Sequence, residues 1–291
     1  MSSTSTLGPR NREEAGALVT PGDVVVFDTA CLEFGHGFLK AKAIDDRIGC
    51  AVMVELLKEP LPMDCTFVFT VQEEVGTRGA FGAAFSVTPD IALVLEGTTA
   101  ADLPGMPGHK RVCAPGKGPV IPYMDGGTVY DRDLYDLLRT QAEQGKIPWQ
   151  TKEYLSGGTD AAAIQRTKEG VRVAGIAAAV RYLHTPTSVV SLEDCENMLI
   201  WPGGFASCGC HGMRRKDAWI TYPSLKCSTP AMDRRGTNGR SPLPSSAWRN
   251  PMPTTAGQTP WAISLSTKRG AARKVMFAAH MDVHRLNRHP H

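Results

Sequence analysis

Two adjacent acid pairs, Asp45-Asp46 and Glu73-Glu74, together with Glu96 and His184, are the residues whose types could carry hydrolytic chemistry. Cleaving an amide near neutral pH needs an activated water and a polarised carbonyl, and a pair of divalent cations supplies both. Such cations take His nitrogen and carboxylate oxygen in an open shell. The site then needs a bridging carboxylate, terminal ligands for each cation and a separate acid/base. Asp45, Glu73, Glu74, Glu96 and His184 can fill those roles. Adjacent acids fit because one can ligate while the other handles the proton. Each residue also has a plainer reading: Asp45-Asp46 as a helix N-cap pair, Glu73-Glu74 as a solvated turn, His184 as a surface histidine. Taken singly the plainer reading wins, and only the joint pattern outweighs it.

The elements that must position these residues follow from periodicity. A short helix is expected around residues 12–18. Pro21-Gly22-Asp23 is a turn signal, with strands at 24–27 and 38–43. Apolar residues at helical spacing over 45–57 are stopped by Pro60. Residues 65–71 (CTFVFTV) have the length and β-branched content of a buried strand, and Glu73-Glu74 follow it. A helix is expected over 79–85, a short strand over 91–95 ending in Glu96, an amphipathic helix over 131–144, and a Gly-Gly turn becoming helical over 157–167. A strand at 173–179 precedes His184, and a closing helix starts at Leu192. This alternation argues for an α/β domain with a central, mostly parallel sheet flanked by helices. Ligands of such sheets collect outside the carboxyl ends of the strands, where Glu73, Glu74, Glu96 and His184 are all expected.

From Trp201 the character changes. Residues 201–260 are rich in Pro, Ser, Gly, Trp and Arg without sustained periodicity, so a linker without regular structure is expected there. Strand-like character returns at 274–279, followed by His280-Met281-Asp282. The charge reverses as well: residues 1–211 carry 18 Lys/Arg against 26 Asp/Glu, whereas 212–291 carry 14 against 3. The basic residues form no helical stripe or aromatic platform, so no nucleic-acid partner is expected. Hydrophobic residues make up 42% of the 291, as in a globular protein. No apolar run approaches the ~20 residues that cross a bilayer, so no membrane partner is expected. The opening MSSTSTLGPRNREEAG lacks the apolar segment of a secretory signal, and the cytoplasm is the expected compartment. The eight cysteines are scattered. Cys208, Cys210 and His211 lack a second pair at metal-knuckle spacing and are read as free thiols and a histidine.

Five strings in order carry a resemblance: KAKAIDDRIGC (40–50), FTVQEEVGTRGA (69–80), LVLEGTTAADLPG (93–105), SGGTDAAAIQRTKEG (156–170) and VRYLHTP (180–186). Over about 22–200 the chain resembles the glutamyl aminopeptidase family of di-metal peptidases, which includes the tetrahedral aminopeptidases and members once labelled cellulase or endoglucanase. The resemblance implies removal of N-terminal residues from short peptides, with two divalent ions, zinc or cobalt. It implies that Asp45 bridges the ions, across a cis bond to Asp46, that Glu73 is the general base, that Glu74 and His184 complete one ion, and that Glu96 serves the other. Gly157, Gly158, Thr159 and Asp160 would line the site.

The family's Ala-His-Met-Asp motif, whose His joins Glu96 on its ion and whose Asp orients that His, belongs upstream of Asp45. Here it stands at Ala279-His280-Met281-Asp282. Residues 21–43 match only the tail of an inserted β-rich accessory domain, so the family's homo-oligomers are not expected to form readily. Three arrangements fit: a circular permutant in which His280 completes the site, two joined fragments in which His280 starts a second copy, or a 201–260 stretch read out of frame. The charge reversal and lost periodicity point to the second or third. Against the enzyme stand a catalytically impaired fragment that binds a metal or a partner, and a glycosidase. A glycosidase needs two carboxylates without metals, which the Asp/Glu/His set disfavours.

Overall fold

The computed structural model describes residues 8–23, 26–58, 61, 63–199, 254–259, 262–267 and 274–282. Four apolar runs form its centre: β3 (Cys65–Thr70), β4 (Ile91–Thr99), β7 (Arg172–Val180) and β11 (Val275–His280). They are nearly continuous in hydrophobicity because both faces of the sheet are covered, as parallel strands between helical layers must be. Alternation along each strand divides the core. Phe67, Leu93 and Phe277 face the helices α2 (Ile44–Leu56) and α4 (Arg132–Gly145), while Val68, Val94 and Ala278 face α3 (Arg78–Val87) and α5 (Ala161–Ile164). The result is three layers, helix on sheet on helix.

The eight-stranded sheet also includes β5 (Val120–Ile121), β6 (Gln150–Thr151), β9 (Thr254–Thr259) and β10 (Ala262–Thr267), in the order β6-β5-β7-β4-β11-β3-β10-β9. The last described strand in sequence therefore lies inside the sheet. β11 runs parallel to β3 on one side, Phe277 against Phe67, and parallel to β4 on the other, Phe277 against Leu93. The Phe67 and Phe277 rings stack with centroids 4.8 Å apart. β10 pairs antiparallel with the opposite edge of β3. The C-terminal segment thus holds β3 from both sides. A second, antiparallel sheet joins β1 (Leu32–Phe34), β2 (Phe38–Ala41) and β8 (Ser188–Ser191) in the order β1-β2-β8.

Helix α1 (Arg12–Leu18) forms as expected, capped by the Asn11 side chain accepting from the Glu14 amide, and residues 192–199 are helical. Three expectations change. Most of the 201–260 linker lies outside the described residues, but 254–259 is a strand, because β10 offers it a free antiparallel edge. The strand expected at 24–27 does not include Val26 or Phe27, which are exposed and pair with no strand among the described residues, while 24 and 25 lie outside them. β4 is nine residues long rather than five: β7 pairs with it from Ile91 to Thr99, whereas β11 pairs only as far as Val94. Glu96 consequently sits within a strand, just beyond the last β11 pair, rather than after a strand end. Cys208, Cys210 and His211 lie outside the described residues, and the described cysteines are free thiols. No helix among the described residues is long and apolar enough to cross a membrane.

Candidate metal centre

At the start of α2 the Asp45–Asp46 peptide is cis, and neither residue has helical backbone angles. The helix proper begins after them. Asp46 is fully buried. One of its oxygens accepts the Gly49 amide at 2.9 Å, the N-cap pattern. The other accepts the backbone amide of His280 at 3.2 Å. The plainer reading is therefore right for Asp46, and the cap also ties down the strand from the far end of the chain. Cys50 adds a second tie, its thiol donating to the His280 carbonyl at 3.3 Å.

Asp45 divides its carboxylate between two histidines. Its Oδ2 is 3.1 Å from His184 Nε2, and its Oδ1 is 3.3 Å from His280 Nε2. Glu74 Oε1 is 3.3 Å from His184 Nε2. Glu96 Oε1 is 2.9 Å from His280 Nε2. Two donor sets share Asp45, namely Asp45, Glu74 and His184 on one side and Asp45, Glu96 and His280 on the other. Glu73 belongs to neither of these two sets, but it forms a third possible set with Glu74 and His280. Its Oε2 lies 3.9 Å from His280 Nε2.

The residues around the cluster fix its shape. Asp282 accepts the amides of Glu73 and Glu74 on its two oxygens, each at 3.1 Å. His280 Nδ1 is 3.1 Å from the Asp282 carbonyl oxygen. As a donor to that carbonyl, Nδ1 leaves Nε2 as the lone-pair nitrogen. Thr70, at the end of β3, donates its hydroxyl to the buried Asp160 at 2.5 Å, and its carbonyl accepts the Met281 amide at 2.9 Å. Gly97 is required because a Cβ there would lie 2.9 Å from Asp45 Oδ1; its amide donates to that oxygen at 3.3 Å. Gln72 and His184 both have left-handed backbone, with φ of 61° and 59°, a conformation costly for residues with a Cβ.

The other predicted lining residues divide. Thr159 bonds to the Tyr130 hydroxyl at 3.1 Å, and Tyr130 donates to Asp125 at 2.8 Å. Gly157 and Gly158 are exposed, and Gly157 gives its carbonyl to the Gly126 amide at 2.9 Å. The sequence reading missed Thr70, Gly97, Asp125 and Tyr130. Gly97 is the one with a signal, standing directly after Glu96. The others act by tertiary contact alone.

The electrostatics show what the cluster lacks. Four carboxylates, of Asp45, Glu73, Glu74 and Glu96, are close to buried, and among the described residues only imidazoles pair with them. Burial pushes Glu73 up to about 8, and neighbouring acids add to the shift. Burial likewise raises Glu74, and lifts Glu96 well above the usual carboxylate range. Asp45 feels the same burial, but the bonds to His184 and His280 hold its carboxyl below that range. Glu96 Oε2 is buried without a hydrogen-bond partner, and Glu74 Oε1 and His280 Nε2 approach only other members of the cluster. Orphaned acceptors beside lone-pair nitrogens, in a nest of surplus negative charge, call for cations. The two groups that share Asp45 each offer the mixed N and O ligands that divalent metal ions take.

A model of the family described as M42 glutamyl aminopeptidase matches residues 6–200, which leaves β11 and His280 outside the match. A protein of Acetivibrio thermocellus is 39% identical over 193 residues, 66% of this chain and 58% of that protein. Among solved structures, an aminopeptidase from the archaeon Desulfurococcus kamchatkensis is 36% identical with a TM-score of 0.65, over 68% of this chain and 57% of that one. The Pyrococcus horikoshii TET1 peptidase, described as able to assemble into a tetrahedron or a large octahedral shell, is 28% identical with a TM-score of 0.54, over 67% and 57%. The chain thus spans less than two thirds of the length of these relatives.

Proposed function

Since this chain belongs to the M42 glutamyl aminopeptidase family, we propose that it is a metal-dependent aminopeptidase removing N-terminal residues from short peptides. The observation that carries the reading is the division of Asp45 between His184 and His280, each with its own glutamate. Asp45 with Glu74 and His184 would hold one ion, and Asp45 with Glu96 and His280 the other. Two zinc or cobalt ions there would polarise the scissile carbonyl and supply a water acidic enough to deprotonate near neutral pH.

Glu73 is the acid/base. It stands beside both donor sets without completing either, and burial has already raised its affinity for a proton, which suits a group that takes a proton from water and returns it to the leaving amine. Asp282 positions it through the backbone, and Asp46 positions His280 in the same way. Asp160 shapes the floor by way of Thr70.

The free thiols fit a reducing compartment, and we place the activity in the cytoplasm. The shell assembly described for the Pyrococcus peptidase is not proposed for this chain. The test is to load the purified full chain with zinc or cobalt and assay a panel of aminoacyl anilides. Glu73→Gln should cost roughly 10²–10⁴ in kcat while both ions stay bound. If the loaded wild type cleaves none of the panel, the enzyme reading is wrong and the chain is a metal-binding fragment.

A further inference from the structure

A groove of about 480 Å³ begins where the Glu73-Glu74 loop ends, lined among others by Gly76, Thr77, Arg78, Phe81 and Arg166. Its walls are the two helices that leave the acid cluster. The Thr77 amide donates to the Glu73 carbonyl at 2.9 Å, and α3 starts at the next residue. α5 follows Asp160, whose carboxylate receives the Thr70 hydroxyl, and Arg166 stands just past its end. The near end of the groove is therefore anchored to the backbone of the proposed acid/base.

Its chemistry is unsatisfied. Arg78 and Arg166 are exposed, and among the described residues neither pairs with a carboxylate, as Arg132, Arg139, Arg172 and Arg181 do. Arg166 is partly fixed, its Nε donating to the Ala162 carbonyl at 2.7 Å. That leaves its terminal amino groups for an anion, and a fixed guanidinium loses less freedom on binding a carboxylate. Phe81 presents a 53% exposed ring between them in sequence.

A peptide whose amino end sits at the cluster must leave across neighbouring surface. At about 3.3 Å per extended residue, the carboxylate of a di- or tripeptide ends within roughly 10 Å of the cleaved bond. We propose that this groove binds the leaving part of the substrate, with Arg78 and Arg166 taking its C-terminal carboxylate and Phe81 packing on its side chains. The substrates are then short free-acid peptides, in preference to C-terminal amides. This rests on the aminopeptidase reading, and two separate readouts keep them apart.

Leucyl-glycyl-glycine and its C-terminal amide are compared as substrates of the metal-loaded full chain. A tripeptide with a reduced, uncleavable first peptide bond is titrated calorimetrically as free acid and as amide. Wild type should favour the free acid by about tenfold in kcat/KM, through KM, and by a similar factor in affinity. The ratio should fall towards one in Arg166→Ala and in Arg78→Ala, survive in Arg166→Lys, and invert in Arg166→Glu. Equal treatment of acid and amide by wild type, or a preference untouched by any arginine substitution, overturns the proposal and leaves the groove to some other acidic partner. An arginine-dependent calorimetric preference without cleavage of any peptide or anilide would keep the groove and remove the aminopeptidase reading.

Discussion

The backbone amide of Glu73 donates to Oδ1 of Asp282 at 3.1 Å, across 209 residues of sequence, and the amide of Glu74 takes the other oxygen at the same distance. One carboxylate from the C-terminal segment thus sets the position of both acids after β3. Asp282→Ala would leave two part-buried donors without partners, which costs about 1–3 kcal/mol. Loss of such an outer contact should also weaken ion binding or activity by roughly 10–100-fold. Asn is expected to rescue only partly, because its amide nitrogen would face one of the two donors. Denaturant unfolding and a cation titration of the three proteins check this.

His280 is 1% exposed and lies between Asp45 and Glu96. His280→Ala is expected to lower the bound ion count from two to one, the remaining ion held by Asp45, Glu74 and His184, whereas Glu73→Gln keeps two. Elemental analysis after exhaustive dialysis distinguishes these outcomes. An unchanged count in His280→Ala would show that the C-terminal motif does not complete the centre.

The metal-free protein should lose stability as pH rises. A carboxyl raised by burial holds its proton in the folded state after the unfolded chain has released it. For Glu73 that window runs from the usual 4.5 to about 8, and there the folded state binds more protons, so stability falls with pH. Asp160, raised by burial to about 6, acts with the same sign. So does His184, raised chiefly by its bond to Asp45. Thermal melting of the chelated protein should therefore move down between pH 5 and pH 8. Added zinc should restore it, and most at pH 8, where fewer protons have to be displaced. A metal-free melting temperature that rises across this range would contradict the assignment.

Phe277 stacks on Phe67 at the centre of the sheet and is fully buried. Phe277→Ala is expected to cost about 3–5 kcal/mol. Because the same strand carries His280, ion binding should weaken along with stability. Phe277→Leu keeps most of the volume and should cost much less. Parallel unfolding curves and ion counts test whether fold and centre fail together.

Much of this was legible beforehand because local chemistry decides it. Residues 65–70 form a buried strand because CTFVFT suits no exposed element. Residues 132–145 form a helix because Leu134, Leu138 and Ala142 recur on one face and Asp131 caps it. The acids and His184 were legible as a set. Glu96 was misplaced relative to its strand because strand length depends on what pairs alongside, and β7 extends β4 past the point where β11 stops. Val26 and Phe27 look like a strand in isolation but pair with no strand among the described residues.

By itself the sequence offered the candidate donors, the α/β alternation and the presence of a strand before His280. Only the tertiary structure decided where that strand goes. The charge reversal and the aperiodic stretch pointed to joined fragments or a misread frame, yet β11 enters between β3 and β4 and delivers His280 to Asp45 and Glu96. The physical reason is that a short apolar run such as VMFAAH has no local preference for a neighbour. Its place is fixed by two open parallel edges, by Phe67 waiting for Phe277, and by the Asp46 and Asp282 carboxylates that accept backbone amides from across the whole chain.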